Sequence, residues 1–215
     1  MKLYGYFRSS AAYRVRIALN FKELAYETVS VHLLKDGGQQ FADDYLSLNP
    51  TALVPTLLDG DLAIGQSMAI MEYLEETYPS PALLPADAQS RARVRAIAQT
   101  IACDIHPLNN LRVLKYLKHD MKLSEQDKDT WYRHWISVGL SGVEAMLANN
   151  TATGRFCHGD QPTLADLCLV PQLFNARRFG CDESAFPTVV RIDAACAELE
   201  AFRLAAPERQ PDYVA

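Results

Sequence analysis

The chain has 215 residues, of which 49% are hydrophobic and 22% are charged, a composition typical of a globular protein with a packed core. Its formal net charge of -5 gives no electrostatic support for a nucleic-acid partner. No apolar run is long enough to span a membrane, and the N-terminal MKLYGYFRSS lacks the apolar core of a signal peptide. We therefore expect a cytoplasmic protein without nucleic-acid or membrane partners.

The five cysteines are widely spaced, and no two of them form a CxxC pair. An odd number in this arrangement argues against a disulfide framework and against a metal site. We expect reduced thiols, most of them buried as small apolar side chains. They are Cys103, Cys157, Cys168, Cys181 and Cys196.

The first eighty residues alternate strand-like and helix-like patterns. A helix is expected from Ser10, and Ser67 is expected to cap a later helix that ends at Pro79. The resulting order, β-α-β-α-β-β-α, predicts an α/β domain with helices packed on a mixed sheet. The segments behind this order are strand 2–7, a helix from residue 10, strand 26–31, helix 41–48, two strands within 54–67 around the turn Asp59-Gly60, and a helix from residue 67.

The remainder of the chain has a different organisation. Residues 78–90 contain three prolines and no periodicity, which predicts a linker between domains 1–80 and 88–215. Beyond the linker the apolar spacing is helical throughout, so an all-α domain is expected. Its helical segments include 94–105, 124–147, 162–174, with Thr163 and Asp166 as a capping box, and 189–202.

The stretch FRSSAAYRVRIAL (7–19) places two hydroxyls and three arginines at a strand-to-helix junction. A helix N-terminus stabilises an anion, so a serine there is either a plain N-cap or a donor to a bound thiolate or oxyanion. The two serines permit both roles, with Ser9 facing a ligand and Ser10 capping the helix. Arg8 lies in the turn, whereas Arg14 and Arg16 are read as surface charges or as neighbours of the site.

Two further pairs of residues indicate ligand binding. Val54-Pro55 is either ordinary punctuation before a strand or a cis bond that leaves the Val54 backbone open to a peptide-like ligand. Gln66 and Ser67 offer an amide and a hydroxyl at a second helix N-terminus, which suits a carboxylate. Together with Ser9, these residues predict a site for a small anionic peptide.

Six sequence runs resemble the zeta class of glutathione transferases, the maleylacetoacetate isomerases, in order along the chain. The resemblance implies a thioredoxin-like N-terminal domain, an all-helical C-terminal domain, a homodimer and glutathione as cofactor. The runs are SSAAYRVRIAL (9–19), KDGGQQF (35–41), NPTALVPTL (49–57), QSMAIMEYLEE (66–76), TLADLCLVPQ (163–172) and QPD (210–212).

The resemblance also implies the roles of individual residues. Ser9 corresponds to the serine that interacts with the glutathione sulfur, which makes it a candidate catalytic residue with Ser10 and Arg8. Arg8, Arg112 and Arg178 are candidates for binding the substrate carboxylates. Ala11 departs from the family, which usually has cysteine there. The implied glutathione-binding positions are Ser9, Ser10, Ala11, Arg14, Gln40, Val54, Pro55, Gln66, Ser67, His106, Asn110 and Arg112.

The implied reaction is addition of glutathione thiolate to the cis double bond of a diketo acid, rotation, and elimination to the trans isomer. This is the conversion of maleylacetoacetate to fumarylacetoacetate in tyrosine and phenylalanine catabolism. Three alternatives remain open: maleylpyruvate isomerase, a general glutathione transferase, and a non-catalytic binding module. The intact Ser9 argues against the last. His106 is open between an active-site side chain and a core histidine.

Overall fold

The structure, a computed structural model, describes residues 1–214 and contains two compact units. Met1–Leu83 and the chain from Ala197 onward form the first unit, and Leu84–Cys196 forms the second. The boundary falls inside the predicted linker 78–90. The C-terminal boundary differs from the predicted domain 88–215, because the last residues join the first unit.

The first unit is built on a four-stranded mixed sheet in the order β2-β1-β3-β4. β1 runs parallel to β2 and antiparallel to β3, which in turn pairs antiparallel with β4. This sequence of elements confirms the order β-α-β-α-β-β-α and the thioredoxin-like fold. The elements are β1 (Lys2–Gly5), α1 (Ser10–Phe21), β2 (Glu27–Ser30), α2 (Asp43–Leu48), β3 (Thr56–Asp59), β4 (Leu62–Gly65) and α3 (Ser67–Thr77).

The helices predicted from residues 10 and 67 begin at those residues, but the two predicted N-caps were wrong by one residue. Ser9, and not Ser10, is the N-cap of α1, since its hydroxyl oxygen accepts from the Ala12 N–H at 3.2 Å. Ser67 is the first residue of α3, and Gln66 precedes it as the cap position with φ 67°. The predicted strand 2–7 is also shorter, because Ser9 N–H donates to the Tyr6 carbonyl at 2.9 Å and closes a turn there.

The predicted helix 189–202 is two helices, α8 (Pro187–Ala197) and α9 (Glu200–Ala205). α9 packs on α1 within the first unit. The buried Arg16 donates from Nε to the Ala205 carbonyl at 2.9 Å, and Asn20 donates to the Ala201 carbonyl at 3.2 Å. Reading Arg16 as a surface charge was therefore wrong, and its burial lowers the pKa of its guanidinium to about 10.

The second unit is helical, which confirms the all-α prediction for this part of the chain. Its helices are α4 (Ala88–Gln99), α5 (Leu111–His119), α6 (Glu125–Ala148), α7 (Leu164–Arg178) and most of α8. The capping box at the start of α7 is confirmed, and Asp166 is fully buried there, where desolvation raises the pKa of its carboxyl group. Among residues 1–214, no helix has the length and apolar character needed to cross a membrane.

Candidate active site

The predicted residues of the first unit converge on one edge of the sheet. Tyr4 on β1 pairs with Val29 on β2 and with Thr56 on β3, and Thr56 pairs with Gly65 on β4. β1, β2 and β4 therefore end at this edge, and β3 begins there. The turn before Ser9 follows the end of β1. The Val54-Pro55 bond directly precedes the start of β3, and α3 begins shortly after the end of β4.

Ser9 combines a structural role with an available proton. Its hydroxyl oxygen caps α1, while its side chain is partly exposed. A hydroxyl has one proton to donate, and none of residues 1–214 accepts the proton of Ser9. The positive end of the α1 dipole and this donor would both favour an anion at the same point.

The neighbours of Ser9 divide into exposed and buried side chains. Arg8 is exposed, donates to the Tyr6 hydroxyl at 2.9 Å and lies over the Phe7 ring at 5.0 Å. Ser10 is buried in the first turn of α1, and Ala11 beside it is partly exposed. Of these, the exposed Arg8 is the one that a charged substrate can reach.

Arg14 links the starts of two helices. Its side chain is buried, and its Nη1 donates to the Ser67 hydroxyl oxygen at 3.2 Å. Reading Arg14 as a surface charge was wrong; the interpretation as a neighbour of the site agrees with this contact. A buried cation against the first turn of α3 adds to the positive potential of the helix N-terminus.

The bond between Val54 and Pro55 is cis, as the resemblance implied. The N–H and C=O of Val54 make no hydrogen bond with any of residues 1–214, although they lie next to the start of β3. Tyr45 and Asn49 each donate to the Leu53 carbonyl, at 2.5 and 2.8 Å, and so hold the chain before Val54. An extended peptide could pair with this open segment as an added strand.

Tyr45 and Asn49 were not predicted as supports of the site. In the sequence analysis Asn49 appears only as the first residue of the run NPTALVPTL (49–57). Its carboxamide also accepts from the Thr51 N–H at 3.1 Å, so one side chain organises both ends of the loop. An Asn at the start of a short loop that contains a proline near each end (Asn49-Pro50 … Pro55) is the signal that would have indicated this.

Gln40 and Gln66 complete the polar residues at this edge. Gln40 is buried, and its Oε1 has no hydrogen-bond partner within the described part of the chain. Gln66 is exposed with φ 67° and ψ 114°, a backbone conformation that is rare for a residue with a side chain. Such outliers cost about 1–3 kcal/mol and cluster at ligand sites.

The second unit contains the remaining predicted residues. Thr100–Ile105 is a π-helical segment, followed by a short helical turn, His106–Asn109, in which His106 is partly exposed. Asn110 caps α5, because its Oδ1 accepts from the Arg112 N–H at 3.1 Å. The Arg112 side chain is exposed. A π-helical turn frequently marks a functional position, and here it directly precedes His106.

The adjacent arginines at the end of α7 have different surroundings. Arg177 donates to Asp193 at 2.6 Å and to Glu183 at 3.2 Å. Arg178 is exposed, and its guanidinium lies 4.9 Å from the centre of the Phe179 ring, which stacks on Tyr132. Arg177 is thus engaged in ion pairs within the unit, and Arg178 is presented on an aromatic platform.

The buried Cys157 and Cys196 of the second unit do not supply a nucleophile by ionisation. Cys157, Cys168 and Cys196 are buried, as predicted for most of the thiols. Burial raises the pKa of the Cys157 and Cys196 thiols well above the ordinary range. Both therefore stay protonated at neutral pH.

Comparisons with known proteins agree with this geometry. Residues 1–76 match the family described as the N-terminal domain of glutathione S-transferases. The "probable maleylacetoacetate isomerase" of Vibrio cholerae is 51% identical over 98% of this chain and 97% of its own length. A solved "maleyl pyruvate isomerase, a bacterial glutathione-s-transferase in Zeta class", is 50% identical with a TM-score of 0.97, and each chain is covered completely.

A second solved structure adds a bound ligand pair. The maleylacetoacetate isomerase of Methylobacterium extorquens AM1, "with bound malonate and GSH", is 44% identical with a TM-score of 0.96 and complete coverage of both chains. A thioredoxin-like unit with this sheet edge, joined to helices, defines the glutathione transferase class. Within that class, the chain belongs to the zeta family, that of the maleylacetoacetate isomerases.

Proposed function

We propose that this protein is a glutathione-dependent cis-trans isomerase that converts maleylacetoacetate to fumarylacetoacetate in tyrosine and phenylalanine catabolism. The observation that carries the proposal is the Ser9 hydroxyl, which caps α1 and keeps its proton available at the open sheet edge. Relatives with this activity in their names match nearly the whole chain. The proposal extends the family membership to a reaction and a substrate.

The residues at the sheet edge fit glutathione. Glutathione is a small anionic peptide, and the open N–H and C=O of Val54 offer the pairing that a peptide backbone needs. The unpartnered Oε1 of the buried Gln40 accepts a hydrogen bond from an amide or ammonium group. Gln66 and Ser67 stand at the N-terminus of α3, where a carboxylate is stabilised.

The chain's own residues then have defined tasks. Bound glutathione supplies a thiolate that adds reversibly to a conjugated cis double bond and permits rotation to the trans isomer. Ser9 donates a hydrogen bond from its hydroxyl to the sulfur, and this hydrogen bond and the N-terminus of α1 together lower the pKa of the glutathione thiol. Arg14, Ser10 and Ala11 border the position of the sulfur. The family resemblance also assigns His106, Asn110 and Arg112 to glutathione binding.

Arginines are proposed to bind the two carboxylates of the substrate. A guanidinium fork matches a carboxylate bidentately, and its charge also stabilises the negative charge that develops on the conjugated ketone. Arg8 and Arg178 are the first candidates, because Arg8 lies in the turn before Ser9 and Arg178 resembles the position that binds the substrate carboxylate in the family; both are exposed. Arg112 is a third.

Maleylpyruvate is the second candidate substrate. A solved maleylpyruvate isomerase is as similar to this chain as the Vibrio relative, at 50% against 51% identity. Both substrates are cis-configured diketo dicarboxylates, so the same carboxylate-binding arginines serve either one. Substrate length is the property that separates them.

Assays with both substrates test the proposal directly. We expect isomerisation of maleylacetoacetate to require glutathione, to leave the glutathione concentration unchanged, and to proceed with a higher kcat/KM than that of maleylpyruvate. A higher kcat/KM with maleylpyruvate would favour the second candidate. Stoichiometric consumption of glutathione would indicate a general transferase, and no turnover with either substrate would overturn the proposal.

Arg178→Ala is expected to raise KM for the dicarboxylate about tenfold or more, since a hydrogen bond to a charged group contributes about 1.5–3 kcal/mol. KM for glutathione should change little. Arg177→Ala is the matched control, because Arg177 is engaged with Asp193 and Glu183. It should lower the melting temperature slightly and leave both KM values unchanged. Equal effects of Arg178→Ala on the two KM values would remove Arg178 from substrate binding.

Ala11→Cys restores the residue usual in the family and is expected to change kcat/KM little. The sulfur that reacts comes from glutathione, so a second thiol in the first turn of α1 has no step to perform. The substitution should destabilise the helix by at most about 0.7 kcal/mol. Steady-state kinetics with wild type alongside would measure this, and a large gain in kcat would show that the thiol takes part in the reaction.

The proposal includes a cytoplasmic homodimer. Glutathione and the catabolic substrates are cytoplasmic small molecules, and the family resemblance implies a dimer. Analytical ultracentrifugation of the purified protein would measure the oligomeric state.

A further inference from the structure

The turn that leads to Ser9 is held by side chains from outside it. Phe7 is a central residue of the turn closed by the hydrogen bond from Ser9 N–H to the Tyr6 carbonyl. Asp212 Oδ2 accepts from the Phe7 N–H at 3.1 Å, and Arg16 Nη2 donates to the Phe7 carbonyl at 3.1 Å. Both backbone polar groups of Phe7 therefore have side-chain partners outside the turn, and one of these partners, Asp212, is 205 positions away.

Asp212 also joins two parallel strands. The same oxygen, Oδ2, accepts from the Ser30 hydroxyl at 3.0 Å, and Ser30 is the last residue of β2. Phe7 follows the end of β1, which pairs with β2 through Gly5 and Ser30. One carboxylate oxygen thus fixes the Phe7 segment relative to the neighbouring strand, at the edge where the candidate site lies.

The segment 207–214, here called the C-terminal strap, is anchored on both sides of Asp212. The buried Gln210 donates from Nε2 to the carbonyls of Leu204 and Ala206, each at 3.0 Å. On the other side, the Tyr213 ring meets the Phe7 ring edge-on, with centroids 5.5 Å apart. Because of these contacts, Asp212 is held in place rather than free to rotate away with a loose terminus.

We propose that Asp212 is a positioning residue for Ser9. Through Phe7 it fixes the Tyr6–Ser9 turn, and with it the direction in which the Ser9 hydroxyl donates. A donor that stabilises a thiolate acts best when its direction is set before the ligand binds, since reorientation then costs nothing during the reaction. This role rests on the proposed function, in which Ser9 donates to the glutathione sulfur.

Asp212→Ala and Asp212→Asn form the test. The alanine variant leaves the Phe7 N–H without its acceptor, whereas the asparagine variant keeps an oxygen that can accept from both Phe7 and Ser30. Asp61→Ala is the matched control, because Asp61 is exposed in the turn between β3 and β4. Each variant is made in the full chain and measured in three ways.

The first measurement is amide hydrogen exchange in the ligand-free protein. Faster exchange at Phe7 and Ser9 is expected in Asp212→Ala only. The second is the titration of glutathione bound to the protein, followed by thiolate absorbance, in which Asp212→Ala should raise the pKa of the thiol. The third is steady-state kinetics. The kcat of Asp212→Ala should fall about tenfold, because a catalytic group displaced by a fraction of an ångström is expected to lose this much rate. The KM for glutathione should change little. Asp212→Asn should restore most of the wild-type behaviour.

Two results would overturn the inference. A purely structural role would lower the melting temperature of Asp212→Ala and leave its kcat and its bound-thiol pKa at wild-type values. Equal defects in Asp212→Asn and Asp212→Ala would assign the effect to charge and not to the hydrogen bonds. If the wild-type protein isomerises neither dicarboxylate, the proposed function fails, while hydrogen exchange and thiol titration still decide the role of Asp212.

Discussion

Ser9→Ala is expected to lower kcat for isomerisation by about a hundred- to a thousandfold, the usual cost of removing one hydrogen-bond donor directed at a catalytic anion. The hydroxyl proton of Ser9 is available for this role because its oxygen accepts from Ala12 while no described residue accepts its proton. The pKa of bound glutathione should rise in the variant, because the thiolate loses a donor. Steady-state kinetics and thiolate absorbance against pH measure the two effects.

Because Ser9 is also the N-cap of α1, its replacement can lower both the stability of the protein and the rate of isomerisation, and the two effects must be measured separately. Alanine at an N-cap costs about 1 kcal/mol, whereas glycine costs only a few tenths. Ser9→Gly should therefore lose the same activity as Ser9→Ala while unfolding nearly like wild type. Ser124→Ala is the matched control, since Ser124 caps α6 by accepting from the Asp127 N–H at 3.1 Å. The Ser124→Ala variant should be less stable than wild type and keep full isomerase activity. Near-normal turnover in Ser9→Gly would disprove the role of the hydroxyl.

Lys22→Met is expected to destabilise the protein by about 3–5 kcal/mol, because it leaves the partner carboxylate of a buried ion pair without its cation. Lys22 is buried at the end of α1 and uses all three ammonium donors, to Glu75 Oε2 at 2.8 Å, to the Tyr78 carbonyl at 2.6 Å and to the Pro81 carbonyl at 2.8 Å. Glu75 Oε2 also accepts from the Leu83 N–H at 2.8 Å. The pair therefore ties α1 and α3 to the segment that precedes the second unit.

Urea unfolding of the variant and of an exposed control would measure this effect. Lys2 and Glu27 form an ion pair at 3.4 Å whose side chains are 49% and 61% exposed, and breaking such a pair costs at most about 1 kcal/mol. Lys22→Met should be far more destabilising than Lys2→Met. Adding Glu75→Leu to Lys22→Met should recover part of the loss, because no charge then stays buried. Similar losses in Lys22→Met and Lys2→Met would contradict the importance of burial.

Local patterns in the sequence predicted much of the secondary structure of both units. Period-2 and period-3.6 spacing gave the order of strands and helices, and Thr163 with Asp166 correctly predicted the start of α7. These signals work because each depends on neighbours within about one helical turn. The cis bond before Pro55 is confirmed as well, although the residues alone left cis and trans open and the family resemblance decided for cis.

Signals of the same local kind misassigned the two caps. In Ser9-Ser10 and Gln66-Ser67, adjacent polar residues are both acceptable at a helix start, so composition does not choose between them. The turn closed by Ser9 and Tyr6 makes Ser9 the cap of α1. The positive φ of Gln66 likewise sets the first residue of α3 at Ser67.

Long-range contacts decided what the sequence left open. Arg14 and Arg16 look like surface charges in the sequence, yet both are buried. Arg14 lies against Ser67, 53 positions away, and Arg16 donates to Ala205, 189 positions away. A charged side chain is buried only where distant backbone or side-chain groups satisfy it, and sequence spacing does not show where such partners lie.

The sequence by itself determined the class of fold, the order of elements, the position of Ser9 at a helix start and, through resemblance, the family. Each of these depends on residues that are close together in the chain or on motifs that occur as continuous runs. The tertiary structure alone decided that Ser9 is the cap, that the Val54 backbone and the Gln40 amide oxygen are open, and that Asp212 holds the turn before Ser9. These properties depend on which groups meet across the fold, because a hydrogen bond needs its partner within about 3 Å regardless of the separation in sequence.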